Sequence, residues 1–201
     1  MTSSFCVHCN FHRPARGNPF APDADLGAEP GAEPYRNFNE KVAALCYTPN
    51  AQLGNFERMS FTAGPALLGW LERSAPATFA AITAADRAHA DQWGVGNAVA
   101  APQHHTILPL ARRRDKITQV AWGLASFART YGRPAEGLWL PEMAVDLETL
   151  DVLAALGVQF TLLSGAQVAG AEAGAGPFLR FHAAFAFLAI SADRYMPRLV
   201  A

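Results

Sequence analysis

Gly137-Leu-Trp-Leu-Pro-Glu142 (GLWLPE) is the stretch whose reading decides the fold. Three apolar residues follow a glycine and run into a proline, which has no N–H for a neighbouring strand and cannot continue a central ladder. The run reads as a buried strand that stops at Pro141 and leaves the Glu142 carboxylate to turn outward. In a parallel sheet, catalytic groups collect at that C-terminal end of the strands. A solvated loop glutamate shows the same local pattern, because most glutamates are exposed, so the meaning of Glu142 depends on the elements around it.

Those elements alternate between strand and helix. Phe5 to Phe11 is strand-like, with Phe5, Val7, Cys9 and Phe11 on one face and Cys6, His8, Asn10 and His12 on the other. Residues 15 to 35, rich in Pro, Gly, Ala and Asp, form a long loop, and Asn39 to Cys46 a short helix. Met59 to Ala63 is a strand closed by Gly64-Pro65, which opens a helix carrying Leu67, Trp70 and Leu71; a second helix starts at Pro76, with Phe79 and Ile82 inward. The clearest helix runs from Lys116 to Tyr131, capped by Asp115, striped by Ile117, Val120, Leu124, Phe127 and Tyr131, and ended by Gly132. Asp146 caps another, through Leu147, Leu150, Leu153 and Leu156, which Gly157 ends before a strand at Val158 to Leu163. Strands alternating with helices predict an α/β fold with a largely parallel, barrel-like (β/α) sheet.

Composition narrows the function. A chain of 201 residues, 51% hydrophobic and 16% charged, has the material for a core. Sixteen basic and 17 acidic residues give a formal charge of −1, which offers no electrostatic footprint for nucleic acid. Arg112-Arg113-Arg114 is the only dense basic run and reads as a solvated loop. No segment reaches the roughly 18 continuous apolar residues of a membrane span, and the N-terminus lacks a secretory pattern, so no membrane partner and a cytoplasmic location are expected. Three cysteines make no disulfide framework. Gly94-Val-Gly-Asn-Ala-Val99 imitates a dinucleotide loop but follows a polar helical stretch and lacks the third glycine, so it reads as a turn, and no cofactor is expected.

A second chemistry-bearing segment is Gln103-His-His-Thr-Ile-Leu-Pro-Leu110, in which a histidine pair enters another short apolar run that stops at a proline. One histidine of the pair can face a pocket and hydrogen-bond a hydroxyl or ligate a metal; backbone-satisfied burial in the core is the alternative.

Together these segments resemble glycoside hydrolase family 57. GLWLPEMAVDLETLDVLAALGVQFTLL is similar to the family's nucleophile segment, HHTILPLARRRDKITQVAWG to its histidine segment, and NFHRP to its N-terminal His-x-His-Gln-Pro motif. The resemblance runs from Cys6 to about Gln167 and is greatest to a bacterial subgroup with an uncharacterised C-terminal domain. It implies a seven-stranded (β/α) barrel acting on α-glucans with retention, by hydrolysis or glucan transfer. Glu142 matches the nucleophile, His12 and His105 match the sugar-contacting histidines, and Trp139 lies in the strand either beside the sugar subsite or in the core. The second carboxylate of such a site protonates the leaving oxygen from about 5–5.5 Å away; it falls beyond the matched region and matches no residue here. Asn10, Arg13, Val95 and Ala101 stand where the family or subgroup carries His, Gln, His and Gln.

The chain is short for a closed barrel. Residues 1–167 read as the N-terminal part of the glycoside hydrolase domain, 168–177 as an Ala/Gly-rich linker and 178–201 as a divergent apolar tail, so the expectation is a truncated member with an incomplete, open barrel. A partner chain or self-association would then cover the sheet. Two readings compete with the enzyme: a non-catalytic carbohydrate-binding remnant, and a metal-dependent deacetylase-like barrel using His104 and His105. Cys6, His8, Cys9 and His12 nominally supply four zinc ligands, but on a strand Cys9 points opposite to the other three, and no metal is expected.

Overall fold

The computed structural model describes residues 7–12, 27–164 and 167, and the backbone of 186–189. The elements are β1 (His8–Phe11), α1 (Phe38–Val42), a π-helical turn (Ala43–Tyr47), α2 (Thr48–Gln52), β2 (Ser60–Ala63), α3 (Pro65–Ser74), α4 (Pro76–Trp93), β3 (Ala98–Val99), α5 (Arg113–Tyr131), α6 (Leu147–Ala155), β4 (Phe160–Leu163) and β5 (Ala186–Ala189). The fold is α/β, and its sheet β1-β2-β3 is open, with three parallel strands. Two compact units are distinguished: Val7–Phe61 with Ala66–Ala98, and Met1–Cys6 with Thr62–Pro65 and Val99–Ala201. Among the described residues no helix is long and apolar enough to cross a membrane.

In the unit holding β1, a row of aromatic rings forms the core. Phe11 lies 5.9 Å from Tyr47 and 5.0 Å from Phe56, and Phe56 lies 5.0 Å from Phe61, mostly in the tilted or edge-on arrangements that ring quadrupoles favour. Asn37 caps α1 by accepting the Glu40 N–H at 3.0 Å. The helix then continues past Cys46 instead of ending there, because the wider turn at Ala43–Tyr47 passes the chain directly into α2, with the Thr48 N–H donating to the Ala43 carbonyl five residues back. Thr48 and Thr78 hydroxyls meet at 2.8 Å and tie α2 to α4. The Asn97 amide donates to the Phe56 and Met59 carbonyls, and the buried Asp86 carboxylate accepts the Ala98 N–H at 2.8 Å, so two polar side chains hold β3 at its start.

The alternation expected for β1 holds in part. Phe11 and Cys9 are half-buried and Asn10 exposed, but Val7 is 40% exposed, while His8 is half-buried with Nδ1 2.8 Å from the Ser60 hydroxyl on β2. Burial pushes His8 down from 6.5 to about 4. Burial, with the Cys46 thiol nearby, pushes the Cys9 thiol up, the opposite of an activated redox cysteine. Cys6 and the loop through residue 26 lie outside the described residues.

In the other unit the Gly137–Leu140 run is central. The Ala100 N–H donates to the Gly137 carbonyl at 3.0 Å, the Trp139 N–H to the Ala100 carbonyl at 2.8 Å, and the Leu138 N–H to the Phe160 carbonyl at 3.1 Å. The run therefore bridges neighbours on both sides in parallel sense without becoming a regular strand. Gly137 is required there, because a Cβ would run into the Phe160 ring. Leu138, Trp139 and Leu140 are all buried, as in a strand covered on both faces. β5 pairs antiparallel with β4, Phe160 opposite Ala189, in the tail where no pattern was expected.

Two features of α5 differ from the sequence reading. The helix begins at Arg113, so the arginine run supplies the cap and first turn, and Asp115 sits in that turn, where its charge complements the helix dipole. Its buried face is Lys116, Val120, Gly123, Phe127 and Tyr131, with Ile117 40% exposed. Gly123 serves close approach, since a Cβ would strike the Ala101 carbonyl oxygen. Lys116 is tolerated because its ammonium lies 2.8 Å from Asp146 and 2.9 Å from Glu148. Burial works to lower its pKa, but hydrogen bonds and charge from the two carboxylates outweigh that and raise it. Burial likewise works to raise Asp146, yet the bonds from Lys116 and Thr149 hold it below the usual carboxylate range. Asp146 also caps α6, accepting the Thr149 N–H at 2.7 Å.

Two predictions follow from these contacts. Between pH 6.5 and about 4 the unfolded chain binds a proton at His8 that the folded chain excludes, so stability is full above 6.5 and falls as pH falls through that window. Urea midpoints at pH 7 and pH 5 should therefore drop further for the parent than for His8→Gln; equal drops would remove His8 as the cause. At the α5–α6 contact the lysine side chain is 1% exposed but Asp146 and Glu148 are 38% and 44% exposed, which makes the two ends unequal. Lys116→Met leaves both carboxylates in water and should change stability by about 1 kcal/mol or less. Asp146→Ala uncaps α6 and leaves the buried ammonium with Glu148 alone, and should cost about 3 kcal/mol; the reverse order in denaturant titrations would refute this asymmetry.

Candidate functional site

Glu142 sits where the Pro141 stop puts it. After the extended Leu140, Pro141–Met143 form a single 3-10 turn closed by the Met143 N–H to the Leu140 carbonyl at 2.8 Å and the Ala144 N–H to the Pro141 carbonyl at 3.1 Å. Within it Glu142 (φ 55°) and Met143 (φ 53°) both take left-handed backbone, two consecutive residues with a Cβ in a region that disfavours one. Such geometry persists only where surrounding structure enforces it. Here the buried run before Pro141 and the Asp146 cap hold the two ends of the turn.

The Glu142 side chain is 70% exposed, and its Oε1 lies 2.9 Å from Nε2 of His105. An ionised carboxylate only accepts, so Nε2–H is the donor of this bond. The His105 ring stands 5.6 Å from the Trp139 ring at 40°. Trp139, expected beside the sugar subsite or in the core, is 8% exposed and belongs to a buried cluster with Val99 and Leu162, against which Phe160 packs. Its indole reaches the site through the imidazole.

The histidine pair divides its work. The His104 N–H donates to the Gln119 side-chain oxygen at 2.9 Å, and its ring is 3.3 Å from the same amide. The Gln103 N–H donates to the Gln119 carbonyl at 2.9 Å, and the Ser126 hydroxyl to the Gln103 side chain at 2.7 Å. Residues 103 and 104 are thus sewn to α5, which presents His105, the next residue, to Glu142. Gln119 and Ser126 escape sequence reading because polar residues on an amphipathic helix carry no signal of what they touch.

His105, Trp139 and Glu142 meet in the unit that contains Val99–Ala201. His12 belongs to the other unit, exposed after β1, with its carbonyl accepting the Tyr47 hydroxyl at 3.3 Å. Among the described residues no three His, Cys, Asp or Glu side chains gather where an ion could be held.

The sequence profile of Glycosyl hydrolase family 57 matches residues 90–191, which is 102 of the 201. Among solved structures, a 4-alpha-glucanotransferase from Thermococcus litoralis is similar with a TM-score of 0.57 at 18% identity, over 81% of this chain and 22% of that one. An alpha-amylase from Thermotoga maritima is similar with a TM-score of 0.51 at 14% identity, over 79% of this chain and 39% of that one. The chain therefore spans less than half the length of either, and at these identities the likeness establishes the fold. No curated protein matches the sequence. The profile covers His105, Trp139 and Glu142 as well as helices α5 and α6, and on that match the chain belongs to glycosyl hydrolase family 57.

Proposed function

We propose that this chain carries the nucleophile half of a retaining site for α-linked glucans, acting as a glycoside hydrolase or glucanotransferase. The observation that carries the reading is the 2.9 Å contact between His105 Nε2 and Glu142 Oε1 on a carboxylate open to solvent at the end of a buried run. In this role Glu142 attacks the anomeric carbon and forms a glycosyl ester as the bond to the leaving oxygen breaks and that oxygen takes a proton from water; water or a second sugar hydroxyl, giving its proton to solvent, then displaces the carboxylate. His105 fixes the carboxylate by binding Oε1, which leaves Oε2 to form the bond. Burial of Trp139 supports a role in holding the imidazole. Exposure of His12 after β1 supports a contact with a sugar hydroxyl. The open sheet supports completion of the barrel by a partner chain or by self-association.

An α-glucosyl fluoride tests the nucleophile separately from the acid, because fluoride leaves without protonation, whereas losing general acid catalysis on an ordinary glucan costs about 10²–10⁴-fold. The parent chain should release fluoride and gain a hexosyl group by intact mass, and Glu142→Gln should do neither. A folded, soluble parent chain with no fluoride release and no adduct would sink the proposal.

A further inference from the structure

Gln167 occupies an unusual position relative to the Glu142 turn. Its main-chain N–H donates to the Ser164 carbonyl at 2.9 Å, and its side-chain Oε1 accepts the Ser164 N–H at 2.9 Å, so both ends of the residue are fixed to the end of β4. The remaining side-chain group, Nε2, donates to the Met143 carbonyl at 2.8 Å. β4 is itself bound to the segment entering the turn, through the Leu138 N–H to the Phe160 carbonyl and the Thr161 hydroxyl to the Leu138 carbonyl at 2.7 Å. The turn is thus tied at its entry through β4, at its exit through the Asp146 cap, and at its middle by one side-chain amide.

That middle contact falls on the second of the two left-handed residues. Among the described residues, main-chain bonds satisfy the Met143 and Ala144 N–H groups, while the Met143 carbonyl, in a residue of left-handed φ, takes the Gln167 amide. Relaxing Met143 to a common backbone region would swing that carbonyl off Gln167 and carry Glu142, its neighbour, away from His105.

We infer that Gln167 is a positioning residue for Glu142, holding the left-handed turn through the Met143 carbonyl. The inference rests on Glu142 being the nucleophile, but its mechanical part is separate and is tested without turnover. The amide matters by virtue of being both donor and acceptor: one end grips β4 while the other grips the turn. Gln167→Met keeps the length and removes both bonds. Gln167→Glu keeps the acceptor for Ser164 and removes the donor for Met143.

The test follows the His105 imidazole by ¹⁵N NMR in the full chain, with Glu142→Ala, which removes the acceptor, defining the resonance change that marks loss of the His105–Glu142 bond. Both Gln167 variants should show that same change, with melting temperatures close to the parent. If the parent forms the hexosyl adduct, both should form it on the order of 10- to 100-fold more slowly, as expected for a misplaced reacting group. A folded Gln167→Glu chain with the parent's His105 resonances overturns the inference, whether or not the parent reacts. Shifted His105 resonances in the Gln167 variants, beside a parent that never reacts, keep the clamp and discard the nucleophile reading.

Discussion

Residues 137–139 are hydrogen-bonded along both edges, to Ala100 on one side and Phe160 on the other, and the chain can then extend no further because Pro141 has nothing to donate. The rest of the site depends on that constraint. A free edge would let the run slide by two residues and keep its faces; with both edges occupied and the Phe160 ring lodged where Gly137 lacks a Cβ, its register is set. The reversal at Pro141–Met143 therefore begins at a defined height, and the Glu142 carboxylate arrives at the imidazole of His105, whose preceding residues are bonded to α5.

The contact of Lys116 with its carboxylates and that of His105 with Glu142 do different work. Lys116 is buried and meets two half-exposed carboxylates, so its contact holds α5 against the start of α6. The His105–Glu142 hydrogen bond ends on a carboxylate open to solvent, where even a charged contact adds roughly 0–1 kcal/mol at most. A bond of that size does not account for two left-handed residues in succession. The strain at Glu142 and Met143 is offset by surrounding structure, and what it secures is the direction of one carboxylate.

What could be read from the sequence followed the rules of local chemistry. The ends at Gly132 and Gly157, the helix starts at Pro65 and Pro76 and the stop at Pro141 each rest on one residue's backbone preference, and the cap at Asp146 on one side-chain acceptor. Legibility failed where tertiary partners override pattern. Lys116 occupies an inward position because distant carboxylates neutralise it, which turns the buried stripe of α5 away from Ile117. For Trp139 the sequence allows a place beside the sugar subsite or in the core, and only the enclosing Val99 and Leu162 show its burial. Gln119 and Gln167 carry no motif, because their roles lie in which main-chain groups they reach.

The π-helical turn at Ala43–Tyr47 has a consequence for how this helix tolerates change. A wide turn holds one residue more than an α-turn, so α1 and α2 keep separate registers, each set by its own contacts: Asn37 and Glu40 at one end, Thr48 and Thr78 at the other. The widened turn takes up the mismatch between them. A chain lacking one residue between Val42 and Thr48 could regain a continuous α-helix without disturbing either end. Length variation among relatives should therefore concentrate in this turn, while the flanking helices keep their faces.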